Sequence, residues 1–199
     1  MPLLLAPIDK PGFLMRIVYR IARHRYGKVL MPLRVIYSRS PALLTIGLLI
    51  EWIRDHATIL EPELRSLVVV YVASRRSCDF CGDLGLALAV RKGIRTDRFD
   101  QLHSWRSSTV FSARERAALA WVDDILEDGV IKEETLVAAR SVFSERELVE
   151  LTWLQASEAY FNLQAHPLGV PSDRLASLAA ATTNDQRPTT NYEPPTTNH

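Results

Sequence analysis

Residues 65–93 read RSLVVVYVASRRSCDFCGDLGLALAVRKG and carry most of the information about the fold. The apolar residues on either side of Cys78 and Cys81 recur at helical spacing, which predicts one helix before the pair and one after it. Pro62 is suited to open the first helix, and Gly93 is suited to end the second. The many valines before the cysteines would also suit a strand. We favour a helix because four apolar residues fit its spacing: Leu64, Leu67, Val68 and Tyr71.

Segments nearer the N-terminus also have helical patterns. Residues 13–26 place a set of apolar residues on one face and three arginines on another, and Ser40-Pro41 marks the start of a helix to about Asp55. The apolar set is Leu14, Ile17, Val18 and Ile21, and the arginines are Arg16, Arg20 and Arg23. We expect this first helix to pack on the domain with its basic face in water or on a neighbouring subunit.

Two later segments, Phe111-Ser-Ala-Arg-Glu and Phe143-Ser-Glu-Arg-Glu, resemble each other. In each, a serine is followed three residues later by a glutamate, which is the capping-box pattern of a helix N-terminus. Each phenylalanine is placed to act as a hydrophobic staple. A tryptophan lies ten residues after each phenylalanine, and we expect both in the core: Trp121 and Trp153.

The sequence predicts an all-α protein with one helical-bundle domain over residues 12–181. An N-terminal arm, residues 1–11, precedes the domain. Residues 182–199 contain almost no aliphatic side chains. They cannot bury enough surface to offset the entropy of ordering, so we expect a disordered C-terminal tail.

The composition is that of a globular protein and excludes several functional classes. The 199 residues are 47% hydrophobic and 24% charged with a formal net charge of +1, which argues against a protein dedicated to nucleic acid. No apolar run is long enough to span a membrane, and the first residues lack the basic start of a secretion signal. Two cysteines do not make a disulfide framework, so we expect reduced thiols and a cytoplasmic location.

The charge is unevenly distributed along the chain. Residues 1–34 contain seven basic residues and one acidic residue, whereas residues 111–158 contain eleven acidic and five basic residues. Either the two regions lie against each other, within one chain or between subunits, or they form separate solvated faces.

The two cysteines form the constellation with the most obvious chemistry. Thiols three residues apart at a helix start can close a disulfide with little rearrangement, and the helix N-terminus stabilises a thiolate. Arg75 and Arg76 just upstream would add to this effect, whereas Asp79 would oppose it. Three interpretations stay open: a redox pair, part of a metal site, and two small buried side chains. A structural zinc site needs four ligands and the five histidines show no matching spacing, so we expect neither metal nor cofactor.

Three features together resemble the alkylhydroperoxidase D-like, carboxymuconolactone decarboxylase family over about residues 12–175. They are the Cys-Asp-Phe-Cys-Gly-Asp-Leu-Gly stretch, the Phe-Ser-x-Arg-Glu segments and the late Glu158-Ala-Tyr-Phe-Asn-Leu. The resemblance implies an antiparallel helical bundle that forms homo-oligomers. It also implies that Cys81 attacks a peroxide, that Cys78 resolves it to a disulfide, and that an unknown partner reduces the disulfide again.

Family peroxidases add a proton relay, a glutamate twelve residues before the first cysteine and a histidine four after the second. This sequence has Ser66 and Gly85 at those positions, and the nearby Asp83 lies on another helix face. The predicted function is therefore a dithiol/disulfide oxidoreductase, with peroxide reduction favoured, that lacks the usual relay. The alternative is a non-enzymatic oligomeric scaffold or small-molecule-binding protein. Three late polar residues either line a pocket near the cysteines or join helices: Glu158, Tyr160 and Asn162.

Overall fold

The structure, a computed structural model, describes residues 2–185, with side chains through residue 180. This part of the chain contains eight α-helices and no strand. They are α1 (Phe13–Tyr26), α2 (Pro41–His56), α3 (Pro62–Arg75), α4 (Asp79–Arg91), α5 (Ala113–Glu127), α6 (Glu133–Arg140), α7 (Glu145–Ala165) and α8 (Leu175–Asp185). Shorter elements are a π-helical turn (Leu33–Tyr37) and two 3₁₀ segments (Phe99–Ser104 and His166–Leu168). Among the described helices, none has the length and apolar character to cross a bilayer.

The helix boundaries follow local signals in the sequence. Both α2 and α3 begin with proline, whose missing N–H would have no intrahelical partner at that position. Both predicted capping boxes form: the Ser112 hydroxyl accepts from the N–H of Glu115, and the Ser144 hydroxyl accepts from that of Glu147. Gly93 follows α4 with a left-handed φ of 72°. The helix prediction for the valine-rich segment is confirmed by α3.

Of the two predicted hydrophobic staples, the structure supports the one at α7. Phe143 and Leu148, which lies in the first turns of α7, are both buried in the same core cluster. Phe111 is also buried, but the matching position in α5 is Arg116, whose guanidinium donates to the Phe111 carbonyl oxygen at 3.1 Å. Hydrogen bonds therefore join the start of α5 to its preceding loop, in place of an apolar contact.

The helix α3 is the centre of the bundle. It packs against α4, α5 and α7, and its Leu67, Val68 and Val72 are fully shielded from solvent. One core cluster lies between α3, α5 and α7 and contains Trp121, with Trp153 packed against it. A second cluster joins α1, the π-helical turn, α4 and α8, and it holds both cysteines. The cysteine pair is thus placed in the interior of the domain.

The helix α1 attaches to the domain by a different face from the one that its apolar pattern marks. Its buried residues are Met15, Tyr19 and Ala22. The Tyr19 hydroxyl donates to the Ile8 carbonyl oxygen at 2.6 Å and lies 2.8 Å from the Ser38 hydroxyl, which fixes the orientation of the helix. Four apolar residues consequently remain exposed: Phe13, Leu14, Ile17 and Ile21.

The expected N-terminal arm is held on the domain by backbone hydrogen bonds from Leu4 to Leu168 and from Ile8 to Arg34, each 3.0 Å long. At the other end, α8 continues past the expected boundary at residue 181 to Asp185. The remainder of the expected tail, residues 186–199, lies outside the described residues.

The basic and acidic regions do not form ion pairs with each other within residues 2–185. Lys28 pairs with Asp173, outside the acidic region. The acidic residues of α5 and α7 pair instead with other bases, as Asp123 does with Arg75 and Glu158 does with Arg54. Within the described residues, the basic face of α1 therefore makes no ion pair with the acidic region of its own chain.

Candidate redox site

The two cysteines lie at the turn between α3 and α4. Cys78 directly precedes α4 and Cys81 lies in its first turn, with their Cα atoms 5.3 Å apart and their sulfur atoms joined in a disulfide. The Cys78 N–H donates to the Ala73 carbonyl oxygen at 2.9 Å, and the Gly82 N–H donates to the Cys78 carbonyl oxygen at 3.0 Å. Disulfides form across Cα separations of roughly 4.4–6.8 Å, so this backbone holds the pair at a bonding separation.

The pair is shielded from solvent. Cys78 is 3% exposed and Cys81 is 5% exposed, in an apolar cluster that includes Ala73, Phe80 and Ala165. The N-terminus of α4 carries partial positive charge, which favours a thiolate once the disulfide is reduced. Within the described residues, no group of three or more His, Cys, Asp or Glu side chains is arranged to hold a metal ion.

The two arginines upstream of the pair have different surroundings. Arg75 pairs with the fully buried Asp123 of α5 and donates to the Tyr71 hydroxyl at 3.1 Å. Its charge is therefore compensated. Arg76 has no ion pair within residues 2–185, and its Nε atom is buried with no hydrogen-bond partner. Of the two arginines that were expected to favour a thiolate, Arg75 is therefore committed to Asp123, and Arg76 is the one without an ion pair among residues 2–185.

Asp83 caps the start of α8. One of its oxygens accepts from the N–H of Leu175 at 2.8 Å, and the other accepts from the N–H of Ala176 at 2.9 Å. The Ser172 hydroxyl donates to it at 3.0 Å. This carboxylate is committed to the contact between α4 and α8, so it is not a substitute for the missing relay.

A buried polar cluster joins α2 and α7. Glu158 is 3% exposed and accepts from the Arg54 guanidinium at 2.9 Å and from the Asn162 side-chain amide at 2.8 Å. Arg54 also donates to the Ser157 hydroxyl at 3.0 Å and pairs with Glu51 at 2.8 Å. Burial raises the pKa of Glu158 to about 7, although the Arg54 charge opposes the shift. Glu158 therefore joins two helices, which was one of its two predicted roles.

Sequence reasoning missed Arg54. The available signal was its spacing from Gly47, because residues seven apart lie on the same face of a helix. Both are buried, and a Cβ at Gly47 would lie 3.2 Å from the Phe161 ring of α7. A glycine and an arginine on one face of an otherwise apolar helix indicate a close, polar helix contact.

A pocket of about 310 Å³ opens beside the cysteine turn, at the ends of α3 and α7, and we call it the Arg76 pocket. Its polar lining is Arg75, Arg76, Asn162 and His166, and its apolar lining is Leu126, Leu163 and Pro167. Sequence reasoning did not anticipate Arg76 and His166 as pocket residues. Asn162 therefore has the first of its two predicted roles, lining a pocket, and its hydrogen bond to Glu158 stays within α7. A larger groove of about 500 Å³ lies at the other end of α4, around Gly93 and Arg98.

Known proteins similar to this chain identify its family. The sequence model of the carboxymuconolactone decarboxylase family matches residues 50–124. The uncharacterized protein YnjA of Escherichia coli (strain K12) is 32% identical over 173 residues, which cover 79% of this chain and 89% of that protein. This chain belongs to the carboxymuconolactone decarboxylase family.

Solved structures show that this family member has an alkylhydroperoxidase D-like fold. The alkylhydroperoxidase AhpD core of an uncharacterized peroxidase-related protein from Ralstonia eutropha JMP134 has a TM-score of 0.74 at 16% identity, covering 90% of this chain and 97% of that one. The debrominase Bmp8 bound to 2,3,4-tribromopyrrole has a TM-score of 0.73 at 16% identity, covering 92% and 98%. At such identities the likeness concerns the fold, and it confirms the predicted helical bundle.

In this member of the carboxymuconolactone decarboxylase family, α4 packs closely against α3 at Gly85, the position of the relay histidine. A Cβ at Gly85 would lie 3.0 Å from Val70 Cγ2 and 3.5 Å from Val69 Cγ1. The helices α3 and α4 therefore pack too closely here for a histidine side chain. Ser66, at the glutamate position, lies about one helical turn before these valines. Restoring the relay would require repacking α3 against α4 as well as two substitutions.

Proposed function

We propose that this protein is a dithiol/disulfide oxidoreductase whose Cys78–Cys81 pair reduces peroxides. The observation that carries the proposal is the α3–α4 turn, which holds the two sulfur atoms at bonding distance beside a helix N-terminus. Membership of the family and the likeness to a peroxidase-related protein support the same chemistry.

In the proposed cycle, the Cys81 thiolate attacks one oxygen of a hydroperoxide and the O–O bond breaks. The other oxygen leaves with the organic group and takes up a proton to give the alcohol, while Cys81 becomes a sulfenic acid. The Cys78 thiol then attacks the Cys81 sulfur, water leaves, and the disulfide forms. Two electrons pass from the sulfur atoms to the peroxide, and an external dithiol returns them when it reduces the disulfide.

Formation of the thiolate has to proceed without the usual relay. The N-terminus of α4 and the unpaired guanidinium of Arg76 are the positively charged groups that support it. A positioned acid or base typically contributes about 10²- to 10⁴-fold to a rate. We therefore expect thiol oxidation that is slower than in a relay-containing enzyme but still dependent on both cysteines.

The test is the reaction of the reduced protein with cumene hydroperoxide, followed by intact mass and by dimedone trapping of sulfenic acid. We expect the parent protein to lose two hydrogen atoms, and the Cys78→Ser variant to accumulate a trapped sulfenic acid. The Cys81→Ser variant serves as the matched control and should trap none. Thiols that stay reduced under conditions in which free dithiothreitol is oxidised would refute peroxide reduction, and trapping only in Cys81→Ser would reverse the two roles.

A second candidate function is binding of a small molecule without redox chemistry. The observation that favours it is the contact between Gly85 and Val70, which replaces the proton relay by apolar packing. It predicts that a Cys78→Ser/Cys81→Ser double variant binds the ligand as tightly as the parent protein does and replaces the parent protein in the cell without loss of function. Loss of function in a folded double variant would refute this alternative.

We also propose that the protein forms homo-oligomers through α2. This helix exposes a stripe of large apolar side chains at helical spacing: Leu48, Leu49 and Trp52, with Ile46 beside them. Contiguous apolar patches are uncommon on monomeric proteins and usually mark an interaction surface. A second copy of the chain is the partner that the family resemblance implies.

A further inference from the structure

The Arg76 pocket contains an uncompensated cation. Arg76 has no ion pair within residues 2–185, and its Nε atom is enclosed without an acceptor. A buried guanidinium N–H that lacks a partner is costly, so such groups usually bind an anion or an ordered water. The neighbouring Arg75 shows the contrast, because its charge is compensated by the buried Asp123.

Asn162, which also lines the pocket, has a side-chain oxygen without a hydrogen-bond donor. Asn162 is 1% exposed, and its side-chain nitrogen donates to Glu158 at 2.8 Å. This bond fixes the orientation of the amide and leaves the Asn162 Oδ1 atom buried without a donor. A ligand that carries an O–H group would satisfy this oxygen.

The pocket also has apolar lining residues, and its volume is modest. Leu126, Leu163 and Pro167 line it, and the total volume of about 310 Å³ is at the small end of the range for pockets that bind organic molecules. The pocket therefore suits a compact ligand with an apolar body, an anionic group at one end and a hydroxyl or hydroperoxyl group at another.

Two of the residues that line the pocket are close in sequence to the cysteine pair or to the cluster that holds it. Arg76 is separated from Cys78 only by Ser77, so the backbone of one pocket residue adjoins the segment that carries the redox pair. His166, another lining residue, follows Ala165, which packs in the same apolar cluster as both cysteines.

We infer that the Arg76 pocket binds a small organic carboxylate that bears a hydroperoxyl or hydroxyl group. The carboxylate accepts from the Arg76 guanidinium, and the O–H donates to Asn162 Oδ1. The inference rests on the proposed function for one part only, namely that the hydroperoxide is the substrate and the corresponding alcohol is its product. The ligand class follows from the two unpartnered atoms and holds for a binding site without redox chemistry as well.

The binding test uses cumyl alcohol with a para carboxylate as the probe and its para-carboxamide as the neutral control, both measured by titration calorimetry on the full chain. We expect the carboxylate to bind the parent protein at least about tenfold more tightly than the amide, as a charge-assisted hydrogen bond provides. Arg76→Gln should abolish this preference and Arg76→Lys should retain part of it. Arg140→Gln, the same charge change at an exposed site on α6, should leave it intact. Equal affinity of the two probes for the parent protein would overturn the inference.

The kinetic test compares cumene hydroperoxide with its para-carboxylated form in the oxidation of the reduced protein. We expect the carboxylated peroxide to react at least about tenfold faster than cumene hydroperoxide with the parent protein. Arg76→Gln should bring the two rates to within about twofold of each other, because any effect on the thiolate slows both peroxides alike. Carboxylate binding with no oxidation by either peroxide would refute the proposed function and leave the pocket in place. Oxidation at equal rates, with no carboxylate binding, would refute the pocket and leave the proposed function.

Discussion

Glu158→Gln is expected to change how the stability of the protein depends on pH. The pKa of Glu158 is raised from 4.5 to about 7 because burial disfavours its charged form, although Arg54 acts in the opposite direction. Between these two values the folded protein holds a proton that the unfolded chain releases. The stabilisation is therefore complete below about pH 4.5 and is lost as the pH rises through 7. Glutamine keeps the shape of the acid but cannot titrate. Its amide nitrogen cannot accept one of the two hydrogen bonds that the Glu158 oxygens accept from Arg54 and Asn162, and this loss is the same at every pH.

The size of the effect follows from the shift. One pKa unit corresponds to about 1.4 kcal/mol, and part of the stabilisation is already lost at pH 5. The free energy of unfolding of the parent protein should therefore fall by about 2–3 kcal/mol, relative to that of the Glu158→Gln variant, between pH 5 and pH 8. The difference between the two proteins isolates this one group, because all other titrations occur in both.

Urea unfolding at pH 5, 6, 7 and 8 measures this difference. Glu145→Gln is the matched control for the loss of one carboxylate, because Glu145 is exposed at the start of the same helix. If Glu158 instead remained ionised against Arg54 at every pH, the difference would stay constant or change in the opposite direction. Either outcome would refute the argument that burial outweighs the ion pair.

Four further predictions concern the fold and the assembly. Ser144→Ala should lower the free energy of unfolding by about 1 kcal/mol in urea, because it removes the cap of α7. Gly82→Ala should raise the melting temperature, because nothing lies within 4 Å of the added methyl and alanine favours the helix by about 0.5–1 kcal/mol. Gly85→Ala should lower it, because the methyl meets Val70 at 3.0 Å and overpacking costs about 1–3 kcal/mol. Leu48→Glu should reduce the mass measured by light scattering to that of one chain, without a change in helical content.

Distinct results would contradict these four predictions. An unchanged stability of Ser144→Ala would mean that tertiary contacts hold α7 without its cap. Equal effects of the two alanine substitutions in α4 would contradict the close packing of α3 on α4. A parent protein of single-chain mass, or a variant that keeps the parent's larger mass, would exclude the α2 stripe as the subunit contact.

The helices were predictable because their signals are local. Pro62, Gly93 and the capping boxes of α5 and α7 act within a few residues, so the sequence pattern contains the whole cause. The buried face of α1 was not predictable in the same way. It depends on the contacts of Tyr19 with Ile8 and Ser38, which lie in other parts of the chain. An amphipathic pattern identifies an apolar face but not whether the domain or a second subunit covers it.

The candidate site shows the same division between local and long-range causes. The spacing of the cysteines predicts a pair that can close, because one helical turn suffices to bring them together. The sequence gives no means to distinguish Arg75 from Arg76. Successive residues of a helix point about 100° apart, so Arg75 reaches Asp123 on α5, whereas Arg76 lines the same pocket without an ion pair among residues 2–185. Only the packing of α3 against α5 and α7 separates their roles.

Burial of the disulfide places a further condition on the proposed chemistry. Because both cysteines are at most 5% exposed, we expect a hydroperoxide to reach sulfur through a local opening at the α3–α4 turn. Ser77 in that turn has a left-handed φ of 52°, which is unfavourable for a residue with a side chain and persists only where neighbouring contacts hold it. The hydrogen bond from the Cys78 N–H to Ala73 is one such contact. A carboxylate bound to Arg76 would act on the adjacent residue, so substrate binding and access to the sulfur atoms are expected to be linked through this turn.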